Sequence, residues 1–182
     1  MKQLVFIAIM VFIFSCKENS VDSLNKDIDE VTKEVSVVTF SDSKIPSYNF
    51  EEFQPLLEKN NDTTYIVNFW ATWCKPCIKE LPAFEKINEE YNPKKVKVIL
   101  ASLDFPKQLD SHVIPFVDKH QLKSDVVLLN DPDANSWIPK VDSTWTGAIP
   151  ATLIYNSNNR IFFERSFSYE EIENELKKII KQ

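Results

Sequence analysis

Tyr65-Ile66-Val67-Asn68-Phe69-Trp70-Ala71-Thr72-Trp73-Cys74-Lys75-Pro76-Cys77 is an apolar run that ends at two thiols three positions apart. The run hardly alternates, so Thr64 to Ala71 reads as a strand covered on both faces. A helix should follow at once. Pro76 suits its first turn, where the missing N–H costs nothing, and Ile78, Leu81, Phe84, Ile87 and Tyr91 mark an inner face over Lys75 to Tyr91. A thiol at a helix N-terminus meets unpaired N–H groups and the positive end of the dipole, both of which favour the thiolate. The spacing also lets the two sulfurs close a disulfide, which makes the pair a candidate two-electron redox centre. Cys74, at the start of the helix, should face outward as the attacking nucleophile. Lys75 sets a positive charge beside it that lowers its pKa. Cys77, a turn deeper, should resolve the mixed disulfide.

Outward from this stretch, Lys95 to Leu103 is a second nearly continuous strand, and Val126 to Leu129 a short third. Residues 105 to 122 read as a helix interrupted by Pro115. Ser47 to Asn60 reads as a helix with Phe50, Phe53, Leu56 and Leu57 on one face, broken or kinked at Pro55. Asp131 to Gly147 looks irregular and carries Trp137 and Trp145. Ala151 to Tyr155 and Arg160 to Phe167 form two strands around the turn Asn156-Ser157-Asn158-Asn159. Ser168 and Glu171 make a capping box for a last helix with Ile172, Leu176 and Ile179 inside. Val35 to Phe40 adds a short strand at the front. Strands alternating with helices predict a parallel core, and the final hairpin adds antiparallel edges. The class is α/β, one domain over residues 37–182, with a central mixed sheet flanked by helices and an extra N-terminal β-α extension.

Composition narrows the function. A net charge of −6 and a pI near 5.0 argue against nucleic acid as a partner, because such binders carry a basic face. Gly147 is the one glycine, so neither common Gly-rich phosphate loop can be built and no nucleotide partner is expected. The chemistry needs no cofactor beyond the two sulfurs. Half a zinc site is the rival reading of the pair. Zinc wants four ligands, there is no second cysteine pair, and His112 and His120 stand in no metal-like spacing with the first, so no metal is expected.

Met1-Lys2, the apolar stretch Leu4 to Phe14 and Ser15 have the form of a secretory signal over residues 1–15. The stretch is too short to span a bilayer, which takes about 20 apolar residues. Ile13-Phe14-Ser15-Cys16 resembles a bacterial lipoprotein box, which implies lipid on Cys16 and a membrane-anchored, periplasm-facing protein. Three cysteines is an odd number for an exported chain, and a lipid on Cys16 leaves the pair. Polar residues 16–36 then form a tether.

Val67 to Cys77 resembles the active-site stretch of thioredoxin-like proteins, and more narrowly the exported TlpA/ResA/DsbE-like thiol–disulfide oxidoreductases. The similarity covers residues 37–182. Glu80, three residues after Cys77, shares its helix face and can take the proton Cys77 loses. The ResA-like pattern Cys-x-x-Cys-x-x-Glu matches Cys74 to Glu80. Where thioredoxins proper have a buried Asp, this chain has Asn68, which cannot accept a proton. The resemblance also implies a kink at Pro82 and a cis Ile149-Pro150 bond beside the sulfurs. Ile149 and Pro150, with Trp73, would bind an extended substrate chain; Trp137 and Trp145 either line that approach or pack in the core, which explains any Trp equally well. Disulfide-containing exported proteins are the implied partners, apocytochrome c among them, with a membrane electron donor for re-reduction. The alternatives are a disulfide-donating oxidant and a non-catalytic binding module. A peroxiredoxin-type peroxidase needs Pro-x-x-x-Thr-x-x-Cys, which Asn68 to Cys74 does not provide.

Overall fold

Thr64–Trp70 forms β2, and all seven of its residues are buried, as the unbroken apolar run requires. The computed structural model describes residues 45–180. The expected signal, Cys16, the tether and the strand at Val35 to Phe40 lie outside the described residues. Around β2 the chain orders β1 (Ser47–Tyr48), α1 (Phe50–Phe53), α2 (Lys75–Tyr91), β3 (Val96–Ser102), α3 (Ile114–His120), β4 (Asp125–Leu129), α4 (Ala134–Val141), β5 (Ala151–Tyr155), β6 (Arg160–Phe163) and α5 (Tyr169–Ile180). The six strands make one sheet in the order β1-β4-β3-β2-β5-β6. β1, β4, β3 and β2 run parallel, and β5 and β6 are antiparallel to their neighbours. This is the mixed sheet the pattern predicted.

Alternation along the strands sends side chains to two separate cores. Ile66 and Trp70 of β2, with Val98 and Leu100 of β3, pack on Leu81, Phe84 and Ile87 of α2 and on Ile172 and Leu176 of α5. Tyr65, Val67, Phe69, Ile99 and Ala101 face the other way, onto Phe50, Phe53, Trp137 and Trp145. Asn68 shares the parity of Ile66 and Trp70, so the strand itself aims its side chain at α2.

Four elements differ from the expected reading. Ser47 to Asn60 is not one helix: Ser47 and Tyr48 pair with β4, and Asn49 starts α1 as an N-cap in a capping box with Glu52. A 3-10 turn over Gln54–Leu57 replaces the helix at Pro55, where the ring cannot donate to the preceding turn. Asp131 to Gly147 is not wholly irregular but contains α4, hidden by Pro139 inside it; Asp133 is its N-cap but makes no side-chain capping bond. The segment from 105 to 122 opens with a 3-10 turn and a wide π-type turn, and Pro115 lies in the first turn of α3 rather than interrupting a helix. β6 ends at Phe163, four residues short of the expected limit. Among the described residues no helix is long and apolar enough to cross a membrane.

Candidate active site

Cys74 is the N-cap of α2, and its sulfur accepts a hydrogen bond from the Cys77 N–H at 3.3 Å. The two cysteines are joined as a disulfide with Cα atoms 5.3 Å apart, inside the normal range for such bridges. Cys77 is fully buried and Cys74 retains 6% exposure. The order is the expected one, but in this disulfide form Cys74 is less open than an outward-facing nucleophile. Its Sγ lies 3.8 Å from the carbonyl oxygen of Ile149. The Ile149-Pro150 bond is cis, and Pro150 is buried. Lys75 is exposed at the first position of α2, and Trp73 is 57% exposed. α2 continues through Pro82.

Beneath the pair, Glu80 is almost fully buried. Its Oε1 accepts from Asn68 Nδ2 at 2.8 Å and its Oε2 from the Phe167 N–H at 2.8 Å. Asn68 Nδ2 also lies 3.1 Å from Thr152 Oγ1. Burial pushes the Glu80 carboxyl up from 4.5 to about 7, against the Phe167 and Asn68 hydrogen bonds and the charge of Arg165, which pull it down. A carboxyl poised near neutrality can both take and return a proton. Glu80 is therefore not a surface charge that merely favours the helix dipole.

Trp137 and Trp145 do not line the approach. Both are buried in the core on the far side of the sheet, their ring centroids 5.7 Å apart, and Trp145 packs 4.7 Å from Phe69. His112 and His120 are surface residues, and among the described residues no group of three or more His, Cys, Asp or Glu stands together as a metal site would.

Two carboxylates that the sequence did not single out hold the rims of the site. Asp104, just past β3 and 2% exposed, accepts from the Thr72 N–H at 2.9 Å, from Thr72 Oγ1 at 2.5 Å and from Ser102 Oγ at 2.7 Å. Glu164, just past β6, accepts from the Thr146 N–H, the Thr146 hydroxyl and the Ala148 N–H. Those hydrogen bonds, led by the Thr146 hydroxyl, hold its carboxyl below the usual range. Gly147 sits between the two bound residues at φ +94°, a conformation that favours glycine. One clamp fixes the loop before Cys74 and the other the loop before Ile149. The only signal for either was an isolated acid at a strand's C-terminal end. Asp104→Ala leaves three donors without their acceptor and should cost about 2–4 kcal/mol. Urea unfolding of the oxidised protein measures it, and Asp104→Asn, which keeps one acceptor, should lose less.

Fold and site together define a thioredoxin-fold protein with a Cys-x-x-Cys disulfide at a helix N-terminus, as the resemblance implied. Residues 39–163 match the AhpC/TSA family, and the chain belongs to it. The thiol-disulfide oxidoreductase ResA of Bacillus thuringiensis (strain Al Hakam) is 30% identical over 116 residues, which are 63% of this chain and 62% of that one. The thioredoxin-like protein YneN of Bacillus subtilis (strain 168) is 36% identical over 63 residues, 35% of this chain and 36% of that one. The chain thus spans less than two thirds of the length of these curated relatives. Among solved structures, a thioredoxin-related protein from Neisseria meningitidis serogroup B shares the fold at TM-score 0.57 and 20% identity, over 69% of this chain and 89% of that one. A DsbF homologue from Corynebacterium diphtheriae does so at 0.54 and 17%, over 65% and 73%.

Proposed function

We propose that the protein is an extracytoplasmic thiol–disulfide oxidoreductase that reduces disulfides in partner proteins. The observation that carries this is the Cys74–Cys77 pair at the head of α2, with the buried Glu80 three residues after Cys77 on the same helix. In the reduced protein the Cys74 thiolate, favoured by the helix terminus and by Lys75, attacks one sulfur of a substrate disulfide. A Cys74–substrate disulfide forms, and the substrate's other sulfur leaves as a thiolate that takes a proton from solvent. Cys77 gives its proton to Glu80 and attacks the Cys74 sulfur; the second substrate sulfur leaves as a thiolate that takes a proton from solvent, and the Cys74–Cys77 disulfide closes. Two electrons have passed from protein to substrate. The substrate chain lies along Ile149 and Pro150 beside Trp73, and a membrane dithiol donor returns the pair to the reduced state.

The same reading places a lipid on Cys16 after removal of residues 1–15, with residues 16–36 tethering the domain to the membrane. Exported proteins with disulfides are then its substrates, the haem-attachment cysteines of apocytochrome c among them. The lipoprotein-box resemblance supports the anchor, and the relatives named thiol-disulfide oxidoreductase support disulfides as the substrate. The wild-type protein should accelerate insulin reduction well beyond dithiothreitol alone, followed as turbidity; no acceleration overturns the reading. A reduction potential gives the direction: about −270 mV or lower marks a reductant, and about −120 mV a disulfide donor.

A further inference from the structure

Among the described residues Phe105 and Trp73 are the most exposed aromatic side chains, at 63% and 57%. They come from different loops, yet the same clamp places them together. Trp73 follows Thr72, Phe105 follows Asp104, and Thr72 and Asp104 are joined by the two hydrogen bonds described above. The Leu103 N–H donates to the Trp70 carbonyl at 2.7 Å, which carries the β2–β3 pairing one step beyond the strands. Both aromatics therefore belong to adjoining loops at the C-terminal edge of the sheet, and Trp73 directly precedes Cys74. The backbone at Phe105 is held as well: its N–H donates to Gln108 Oε1 at 3.2 Å and its carbonyl accepts from the Gln108 N–H at 2.8 Å. A ring kept in water on a loop fixed by a buried carboxylate is not a loosely folded segment.

Charge indicates what covers this surface. Lys75 and Lys79 lie on the exposed side of α2, and Lys107 follows Phe105 by two residues. None of the three is in an ion pair among the described residues, in a chain whose net charge is −6. The protein is acidic, while these three lysines have no ion-pair partner among the described residues.

We propose that Trp73 and Phe105 form a docking surface for an extended segment of partner polypeptide in which a large apolar residue adjoins the reacting cysteine and an acidic residue lies close by. The proposal rests on the thiol–disulfide reading and adds a substrate preference to it. Phe105 is the specificity-determining residue, and Lys107 reads the acid.

The test uses the reduced full-length protein and three disulfide-linked peptide dimers. The first has Leu beside Cys and Glu two residues on, the second replaces Leu by Ser, and the third replaces Glu by Lys. The second-order rate constant should favour the first over the second by about tenfold, the scale of one aromatic contact. It should favour the first over the third several-fold at low salt, and that preference should shrink as salt screens it. Phe105→Ala should cut the Leu/Ser preference to about twofold or less, and Lys107→Ala should erode the Glu/Lys preference. Ile161→Ala, an exposed apolar residue on β6, should change neither. A Leu/Ser ratio that is near one in the wild type, or unaltered in Phe105→Ala, overturns the proposal. Hydroxyethyl disulfide has no side chain to dock and separates the two claims. If the wild type reduces it but shows no peptide preference, docking falls and the oxidoreductase reading stands. If it reduces neither, both fall.

Discussion

Cys77→Ser should stop turnover and leave the protein covalently attached to its substrate. The first attack needs only the Cys74 thiolate, the helix N-terminus and an accessible substrate sulfur, all of which the variant keeps. What it lacks is the second sulfur, fully buried and three residues along α2, that would displace the substrate. Insulin reduction should fall by about a hundredfold or more, the scale expected when a covalent route is blocked at one of its nucleophiles. A band at the combined mass of the two proteins should appear on a non-reducing gel and vanish with dithiothreitol. Cys74→Ser should lose turnover equally but trap nothing. Equal trapping by both variants would mean that either sulfur attacks, contrary to the difference in their placement. Recovery of no disulfide-linked protein from Cys77→Ser would remove the mixed-disulfide step.

That contrast was legible in the sequence because it depends on two short-range facts, the spacing of the cysteines and the start of a helix. The sheet was legible for a similar reason. β2 and β3 are apolar nearly throughout, so their strand character and central place follow without knowledge of any partner. Elements whose identity depends on distant contacts were not. β1 exists because Ser47 and Tyr48 pair with Leu128 and Leu129, some eighty residues away. The spacing of Phe50, Phe53, Leu56 and Leu57 suggested a long helix instead. The Asn49–Glu52 capping box was there to be read and would have moved the boundary. α4 was hidden because Pro139 lies within it, while Trp137 anchors it from the core; Asp133 at its N-cap was the signal available.

The site shows the same division. Cys74, Cys77 and Glu80 lie on one element at helical spacing, and Asn68 reaches Glu80 because strand parity turns it toward α2. Asp104 and Glu164 are single acids in loops, and each has a role only because a threonine from another loop arrives opposite it. Trp137 and Trp145 carried two readings, the substrate approach and core packing, and the second is the one found. Nothing local distinguishes a tryptophan in the core from one at a substrate surface, and both proved to be core.

Glu80→Gln should remove a titration from both activity and stability, and the two can be measured apart. In the wild type the folded Glu80 carboxyl titrates at about 7 against 4.5 for the free group. Below about pH 4.5 the group is protonated in both folded and unfolded protein and contributes no difference. Between 4.5 and 7 the unfolded chain has released the proton and the folded one has kept it, so stability falls as pH rises through this window. Above 7 both are ionised and the loss is complete, on the order of 3 kcal/mol at ~1.4 kcal/mol per unit. Urea unfolding of the oxidised protein isolates this slope, since disulfide-bonded cysteines do not titrate. From pH 5 to pH 8 the wild type should lose about 2–3 kcal/mol more than Glu80→Gln, other groups cancelling in the difference. Resolution of the mixed disulfide runs the opposite way. Only ionised Glu80 can take the Cys77 proton, so the wild-type rate should rise as pH passes through 7. The Gln variant should be slower by about 10²–10⁴-fold and lack that inflection. A purely structural Glu80 would change stability and leave the shape of the rate profile intact. The same burial that makes the charged carboxylate costly at pH 8 is what brings its proton affinity into the range where Cys77 can use it.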